Sequence, residues 1–220
     1  MAYYPVFIKL DGETALVVGG GRVAQRKIET LLEYGASVRI VSKELTGKLK
    51  QFIESGDIRH VGEKFESRHL DGAFMVIAAT DDKKLNREIS EAARKRGLLI
   101  NAVDQPPDCN FIVPSIVKKG DLTIAISTSG KSPALAKKLR EKMDGQFGSE
   151  YRTFLTLMGR LRKEVLKMGL PHNENGRIFK EIVDSDVLEA LKRNDWDGVK
   201  STLGRILPGD VVIPYDLLMV

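Results

Sequence analysis

The stretch Val17-Val18-Gly19-Gly20-Gly21-Arg22-Val23-Ala24 has the spacing G-x-G-x-x-A. A dinucleotide needs that pattern for three reasons. Gly19 permits a tight strand-to-helix turn, Gly21 lets backbone amides approach a pyrophosphate, and Ala24 lets the helix pack closely on the strand. The helix N-terminus behind the turn favours phosphate charge. A ligand-free tight turn is the plainer alternative, but here the pattern follows an apolar run and opens a helix, the context its mechanism requires. The acidic residue usual at the end of the second strand is missing, since Val41 is followed by Ser42, Lys43 and Glu44. Ser42 suits a ribose hydroxyl and Lys43 a 2′-phosphate, so the residues alone leave NAD and NADP both open. Glu44 instead suits the first turn of the next helix, where its charge meets the dipole.

Two further segments fall at strand ends, where ligands lie in a doubly wound sheet: Thr80-Asp81-Asp82 and Asn101-Ala102-Val103-Asp104. Thr80 and Asn101, with Val103 beside them, are expected on the nicotinamide side of a dinucleotide. Asp82 is more simply a helix cap. Asp104 has two readings, a carboxylate that accepts a proton released in an oxidation or an Asx-type turn residue before Pro106 and Pro107. Ser127-Thr128-Ser129-Gly130-Lys131-Ser132 is a hydroxyl-rich loop running into Pro133, an anion site by its amides, hydroxyls and lysine. Capping of a helix by Ser132 explains part of it without a ligand. No metal site is expected: His60, His69, His172 and Cys109 are scattered without ligand spacing and read as surface or loop residues.

The elements that carry these residues follow from apolar periodicity. Thr14–Val18 reads as a strand, Val23–Leu32 as a helix ended by Gly35, and Ser37–Val41 as a second strand. Leu45–Ser55 reads as a helix, Ile58–Val61 as a strand, Phe74–Ala79 as a fully buried parallel strand, Asp82–Arg96 as a helix and Leu98–Ile100 as a strand. Alternation of this kind predicts an α/β doubly wound parallel sheet of Rossmann type. Phe111–Val117 and Leu122–Ser127 then read as a hairpin, and from Ser132 to about Leu207 the chain is mostly helical. The expected blocks are 1–112, a dinucleotide domain; 113–147, a β-hairpin-plus-helix segment; 148–208, a helical domain; and 209–220, an apolar tail without an assigned role.

Composition bounds the class. The 220 residues are 42% hydrophobic and 30% charged, a globular balance. The longest uncharged apolar run, around Ala73–Thr80, is far short of the roughly 20 residues of a membrane helix. The N-terminus shows no signal peptide, and one cysteine fits a reducing compartment, so a cytoplasmic protein without membrane contact is expected. The net charge is +5, yet residues 114–170 alone hold twelve Lys or Arg against five acidic residues. That excess favours an anionic partner, through steering more than through any single contact.

Taken together, Val17-Val-Gly-Gly-Gly-Arg-Val-Ala-Gln-Arg-Lys27, Ala78-Ala-Thr-Asp-Asp82, Asn101-Ala-Val-Asp104, Asn110-Phe-Ile-Val-Pro-Ser115 and Ile126-Ser-Thr-Ser-Gly-Lys-Ser-Pro133 make the chain resemble the precorrin-2 dehydrogenase family of siroheme synthesis. That family includes the dehydrogenase–ferrochelatase module of siroheme synthase, and the resemblance runs from about Tyr4 to Leu207. It implies NAD-dependent oxidation of precorrin-2, a tetrapyrrole, to sirohydrochlorin. In some members it also implies insertion of ferrous iron, as substrate, to give siroheme. It implies a homodimer built through the middle segment, with the active site between the NAD domain and the helical block. Arg22 and Val23 with Lys43 and Glu44 are then NAD contacts, Asp104 is the general base and is implicated in chelation, and the basic region meets the eight carboxylates of the substrate. No methyltransferase domain is expected after residue 207, so a separate uroporphyrinogen methyltransferase would supply precorrin-2. A non-catalytic NAD-sensing domain that binds protein or nucleic acid is the rival reading. It leaves Asp104 and the 127–133 loop without a role, and nucleic acid is not an expected partner.

Overall fold

The computed structural model describes residues 3–209, which form two compact units divided between Val113 and Pro114. The apolar tail expected past residue 209 lies outside the described residues.

In the first unit the chain runs β1 (Thr14–Val18), α1 (Arg22–Glu33), β2 (Ser37–Val41), α2 (Gly47–Glu54), β3 (Ile58–Gly62), β4 (Met75–Ala78), α3 (Lys83–Lys95) and β5 (Leu99–Ala102). All five strands are parallel, in the order β3-β2-β1-β4-β5. The chain therefore winds outward from β1 in one direction and then returns to wind outward in the other. Its crossover leaves a crevice between β1 and β4 at their carboxyl ends.

Strand parity builds the two layers that flank the sheet. Ala15 and Val17 of β1, with Met75 and Ile77 of β4, pack with Ala24, Ile28 and Leu31 of α1 and Leu49 of α2. Their neighbours Leu16, Val18, Val76 and Ala78 pack with Ile89 and Ala93 of α3. Successive side chains of a strand point to opposite faces, and both faces here are covered by helices. The runs Ala15–Val18 and Met75–Ala78 are buried throughout for that reason.

The second unit contains β6 (Ser115–Lys119), β7 (Leu122–Ile126), α4 (Pro133–Gln146), α5 (Glu150–Lys167), α6 (His172–Val183), α7 (Val187–Lys192) and α8 (Trp196–Ile206). β6 and β7 form an antiparallel two-stranded sheet. α5 to α8 enclose one core that includes Phe154, Leu157, Leu161, Val165, Ile178, Ile182, Val199 and Leu203. Leu166, in helical register with the α5 core by spacing, is instead 49% exposed. β6 starts at Ser115, four residues later than the apolar run beginning at Phe111 predicts. The side chain of Asn110 explains this, because it accepts from Ile100 N at 2.7 Å and donates to Leu98 O at 2.8 Å. The Phe111 carbonyl accepts from Asn101 Nδ2 at 3.1 Å, so residues 110–111 are tied to β5 rather than to the hairpin.

Candidate active site

A cleft of about 980 Å³ opens at the crossover, lined among others by Gly19, Gly21, Arg22, Val23, Ser42, Lys43, Glu44, Thr80, Val103 and Asp104. Its size is at the upper end of the roughly 300–1,000 Å³ typical of small-molecule sites. Thr46, Glu63, Lys64, Phe65, Asn86 and Gln105 also line it, and the sequence reading did not anticipate them.

The three glycines do three different things. Gly19 has φ of +115°, and a Cβ there would collide with the Ala79 carbonyl, so only glycine lets β1 turn this close to the end of β4. A Cβ on Gly20 would collide with the Glu44 carbonyl and crowd Ser42 Oγ. Its own carbonyl accepts from Thr46 N at 3.1 Å, which seats the β2–α2 loop on the turn. Gly21 has nothing within 4 Å of a Cβ position. It is the N-cap of α1 and offers no side-chain cap, and the first turn of α1 carries no acidic residue. The leading amides of α1 thus face open space with their positive end uncompensated, the arrangement that suits a pyrophosphate. Ala24 is fully buried and contributes by packing α1 on the sheet, not by lining the cleft.

The β2–α2 loop forms the second wall. Ser42 Oγ donates to the Glu44 carbonyl at 2.7 Å, and the Ser42 carbonyl accepts from His60 Nε2 at 2.9 Å. The Ser42 proton is therefore used to fold the loop, leaving oxygen lone pairs for a ribose hydroxyl. Glu44 does not sit in the first turn of α2, which begins at Gly47 with Thr46 as its cap. Lys43 and Glu44 are both exposed at the cleft.

On the far side, Asp82 caps α3, accepting from Lys84 N at 2.9 Å and Leu85 N at 3.2 Å. Asn101 does not line the cleft, because its amide is directed to the Phe111 carbonyl and the Cys109 sulfur. Asp104 lies at the cleft in a left-handed conformation, φ 58°, tolerated by aspartate better than by most residues. Asp104 is a central residue of the turn Ala102–Gln105, which the backbone closes with Gln105 N donating to Ala102 O at 3.2 Å. Among the described residues the Asp104 carboxylate accepts no hydrogen bond, so the side-chain-made turn is not what holds it. Its field reaches Lys27 on α1. Burial, aided by Arg26, pushes the Lys27 ammonium below its ordinary value, and Asp104 pulls it back up.

Cys109 and His69 are buried, not surface residues. Cys109 Sγ accepts from Ala102 N at 3.2 Å and can donate to the Ala102 or Gln105 carbonyl. Burial pushes this thiol up, which keeps the proton those contacts use. His69 Nδ1 accepts from Glu66 N at 3.0 Å. No group of three or more His, Cys, Asp or Glu among the described residues is arranged to hold a metal ion.

The remaining predicted residues lie in the second unit. Thr128 Oγ1 donates to the Ser132 carbonyl at 3.1 Å and accepts from Ser132 N at 3.2 Å. Ser127 Oγ accepts from Ser129 N at 3.0 Å, and Ser132 Oγ caps α4 by accepting from Leu135 N at 3.2 Å. Ser129 and Gly130 both have positive φ and are exposed, as is Lys131. The basic block is partly engaged within the unit: Lys119 pairs with Asp144, Lys137 and Arg140 with Glu141, and Lys167 with Glu164. Arg162 lies over the Phe179 ring at 5.0 Å.

A doubly wound sheet with an open glycine turn at its crossover defines a Rossmann-type nucleotide-binding protein, here carrying a second unit of hairpin and helices. Residues 6–115 match a family model described as "Putative NAD(P)-binding", and residues 119–146 match one described as "Sirohaem biosynthesis protein central". The siroheme synthase of Photobacterium profundum is 38% identical over 198 residues, 89% of this chain and 42% of that protein. The siroheme synthase of Methylobacillus flagellatus is 38% identical over 210 residues, 95% of this chain and 45% of that one. A solved structure titled "SirC, precorrin-2 dehydrogenase" matches with a TM-score of 0.74 at 25% identity, covering 90% of this chain and all of that chain. The chain belongs to the siroheme synthase family and spans less than half the length of these two siroheme synthases. Among the described residues no helix is long and apolar enough to cross a membrane.

Proposed function

We propose that this chain oxidises precorrin-2 to sirohydrochlorin with NAD as acceptor. The observation that carries this reading is one cleft holding both parts such a reaction needs, an open helix N-terminus at Gly21 and an exposed carboxylate at Asp104 without a hydrogen-bond partner among the described residues. The match to a precorrin-2 dehydrogenase structure supports the substrate. Bound NAD supplies a two-electron acceptor. The Gly21 amide and the first turn of α1, with Arg22 and Val23, hold the pyrophosphate, and Ser42, Lys43 and Glu44 take the adjoining ribose. Thr80 and Val103 flank the nicotinamide end. The oxidation takes a hydride and a proton from the macrocycle, and Asp104 receives the proton directly or through one water. Ser127–Ser132 and the cations of the second unit are assigned to substrate carboxylates. Because exposed ion pairs are worth only about 0–1 kcal/mol each, these cations act mainly on encounter and orientation.

We place a homodimer contact in the 113–147 segment. Two of the large apolar residues the chain exposes, Val113 (40%) and Leu135 (47%), fall within it. The same Asp104 carboxylate also suits uptake of protons displaced when ferrous iron enters sirohydrochlorin, whose four nitrogens make a protein metal site unnecessary.

Anaerobic incubation of the protein with enzymatically generated precorrin-2 tests the reading. Sirohydrochlorin absorbance should rise only when NAD is present, and no rise under conditions where NAD binds would remove the dehydrogenase assignment. Ferrous iron added to sirohydrochlorin without NAD tests chelation separately.

A further inference from the structure

Asn86 stands out as a buried polar side chain on the core-facing side of α3, 1% exposed. All its hydrogen-bonding groups are used across two strand ends. Oδ1 accepts from Thr80 Oγ1 at 2.7 Å and from Thr80 N at 3.3 Å. Nδ2 donates to the Thr80 carbonyl at 2.9 Å and to Gln105 Oε1 at 3.0 Å. Gln105 in turn donates from Nε2 to the Lys83 carbonyl at 3.1 Å and to Asp108 Oδ2 at 2.9 Å. One amide thus clamps the backbone after β4, at the rim of the cleft, and reaches the residue next to Asp104.

A purely structural amide at this position would need only the helix-to-strand contact with Thr80. The additional bond to Gln105 crosses to the loop after β5, whose key residue is held in a left-handed conformation without a side-chain anchor of its own. A residue in that region of backbone space persists only where its surroundings determine it. The determinants visible here are Gln105, Cys109, and the bonds from Ser90 Oγ to the Asp108 carbonyl and from Arg94 to the Pro107 and Cys109 carbonyls. The Asn86–Gln105 bond joins that loop to the Thr80 shelf, beside the backbone bond from Val103 N to the Ala78 carbonyl at 2.9 Å and the bond from Gln105 Nε2 to the Lys83 carbonyl.

We propose that Asn86 is a positioning residue, fixing the Thr80 shelf beneath the dinucleotide and, through Gln105, the separation between that shelf and the Asp104 carboxylate. The claim rests on the dehydrogenase reading for its Asp104 arm and on nucleotide binding alone for its Thr80 arm. Asn86→Ala cuts both arms. Gln105→Met, near in shape, leaves the bonds between Asn86 and Thr80 in place and cuts the arm to Asp104, together with the Gln105 bonds to the Lys83 carbonyl and Asp108.

Calorimetric titration with NAD and anaerobic precorrin-2 turnover separate the arms. Asn86→Ala should bind NAD about tenfold more weakly, whereas Gln105→Met, which keeps the bonds between Asn86 and Thr80, should lose much less affinity. Both should lower kcat, Asn86→Ala by about 100-fold, the scale of a 1 Å misplacement. KM for precorrin-2 should stay within about threefold. In an Asp104→Ala background Gln105→Met should not lower kcat further, because that arm acts through the Asp104 carboxylate; a general structural defect would multiply instead. Multiplying losses, or wild-type kcat in Gln105→Met, would overturn the Asp104 arm, and unchanged NAD affinity in Asn86→Ala would overturn the shelf. If Asn86→Ala fails to fold, Asn86→Asp keeps the acceptor to Thr80 and loses the donors, and Gln105→Met still decides the Asp104 arm. A wild-type protein that binds NAD but oxidises no precorrin-2 would refute the proposed activity and the Asp104 arm together, and the titration would still decide the shelf.

Discussion

At the residue scale the glycine turn separates folding from binding. Gly20 meets backbone of the β2–α2 loop, which cannot step aside as a flexible side chain would. Gly20→Ala is therefore expected to cost about 1–3 kcal/mol of stability, the range of overpacked sites. Gly21 faces open space at a φ of −79° that alanine tolerates, so Gly21→Ala should change stability by less than about 1 kcal/mol. Its methyl group would stand where the pyrophosphate must approach, and NAD affinity should fall at least tenfold, about 1.4 kcal/mol. Thermal unfolding and NAD calorimetry on the two variants check this. Equal NAD binding by Gly21→Ala and wild type would remove the pyrophosphate from that position. The sequence pattern alone identifies Gly19 and Gly21 but is silent on Gly20, because its constraint comes from residues more than twenty positions downstream. Asn86 leaves a faint trace, a polar residue in register with Ile89 and Ala93, but only the fold shows that it faces Thr80 and Gln105. Asn101 is misassigned for a related reason: a strand end presents alternate residues to opposite sides, and Asn101 turns toward Phe111 and Cys109.

At the element scale α1 carries a cost that pH should expose. Lys27 lies half-buried on this helix, and burial, with Arg26, holds its pKa below 10.5 while Asp104 opposes them. Between the lowered folded value and 10.5 the unfolded chain binds more protons at this site, so stability rises with pH through that window. Below the window the ammonium is charged in both states and the full desolvation cost is present. Lys27→Met should thus be more stable than wild type near pH 7, with the gain shrinking as pH approaches 10.5. Urea titrations at pH 7, 8.5 and 9.5 measure the difference, and a gain independent of pH would place its origin elsewhere. The elements themselves are largely legible from sequence, since a period of 3.6 in α1 and α3 and unbroken apolar runs in β1 and β4 follow directly from burial. The start of β6 is not, because Asn110 and Phe111 look like strand residues but spend their polar groups on β5.

For the whole molecule, the two units divide the work. The first carries the nucleotide cleft, and the second carries most of the basic excess, which remains after local pairs such as Lys119–Asp144 at 2.9 Å are counted. A two-stranded sheet such as β6–β7 is marginal without further packing. Leu135, exposed on α4 of the same unit, fits the proposed contact with a second copy. If the proposed homodimer forms through this segment, Leu135→Glu is expected to shift it toward monomer while far-UV circular dichroism stays unchanged. Sedimentation velocity at micromolar concentration reads this directly, and an unaltered dimer would move the contact away from α4.

The central claim is that Asp104 takes a proton from the macrocycle beside bound NAD. The most direct measurement compares wild type and Asp104→Ala in one anaerobic experiment that follows sirohydrochlorin and NADH together, with NAD affinity determined on the same samples. Wild type should release the two products in equal amounts. Asp104→Ala should bind NAD with unchanged affinity but turn over about 100- to 10,000-fold more slowly, the range lost when general-base catalysis is removed. Near-normal turnover by Asp104→Ala would contradict the mechanism, and NADH without matching sirohydrochlorin would contradict the reaction itself.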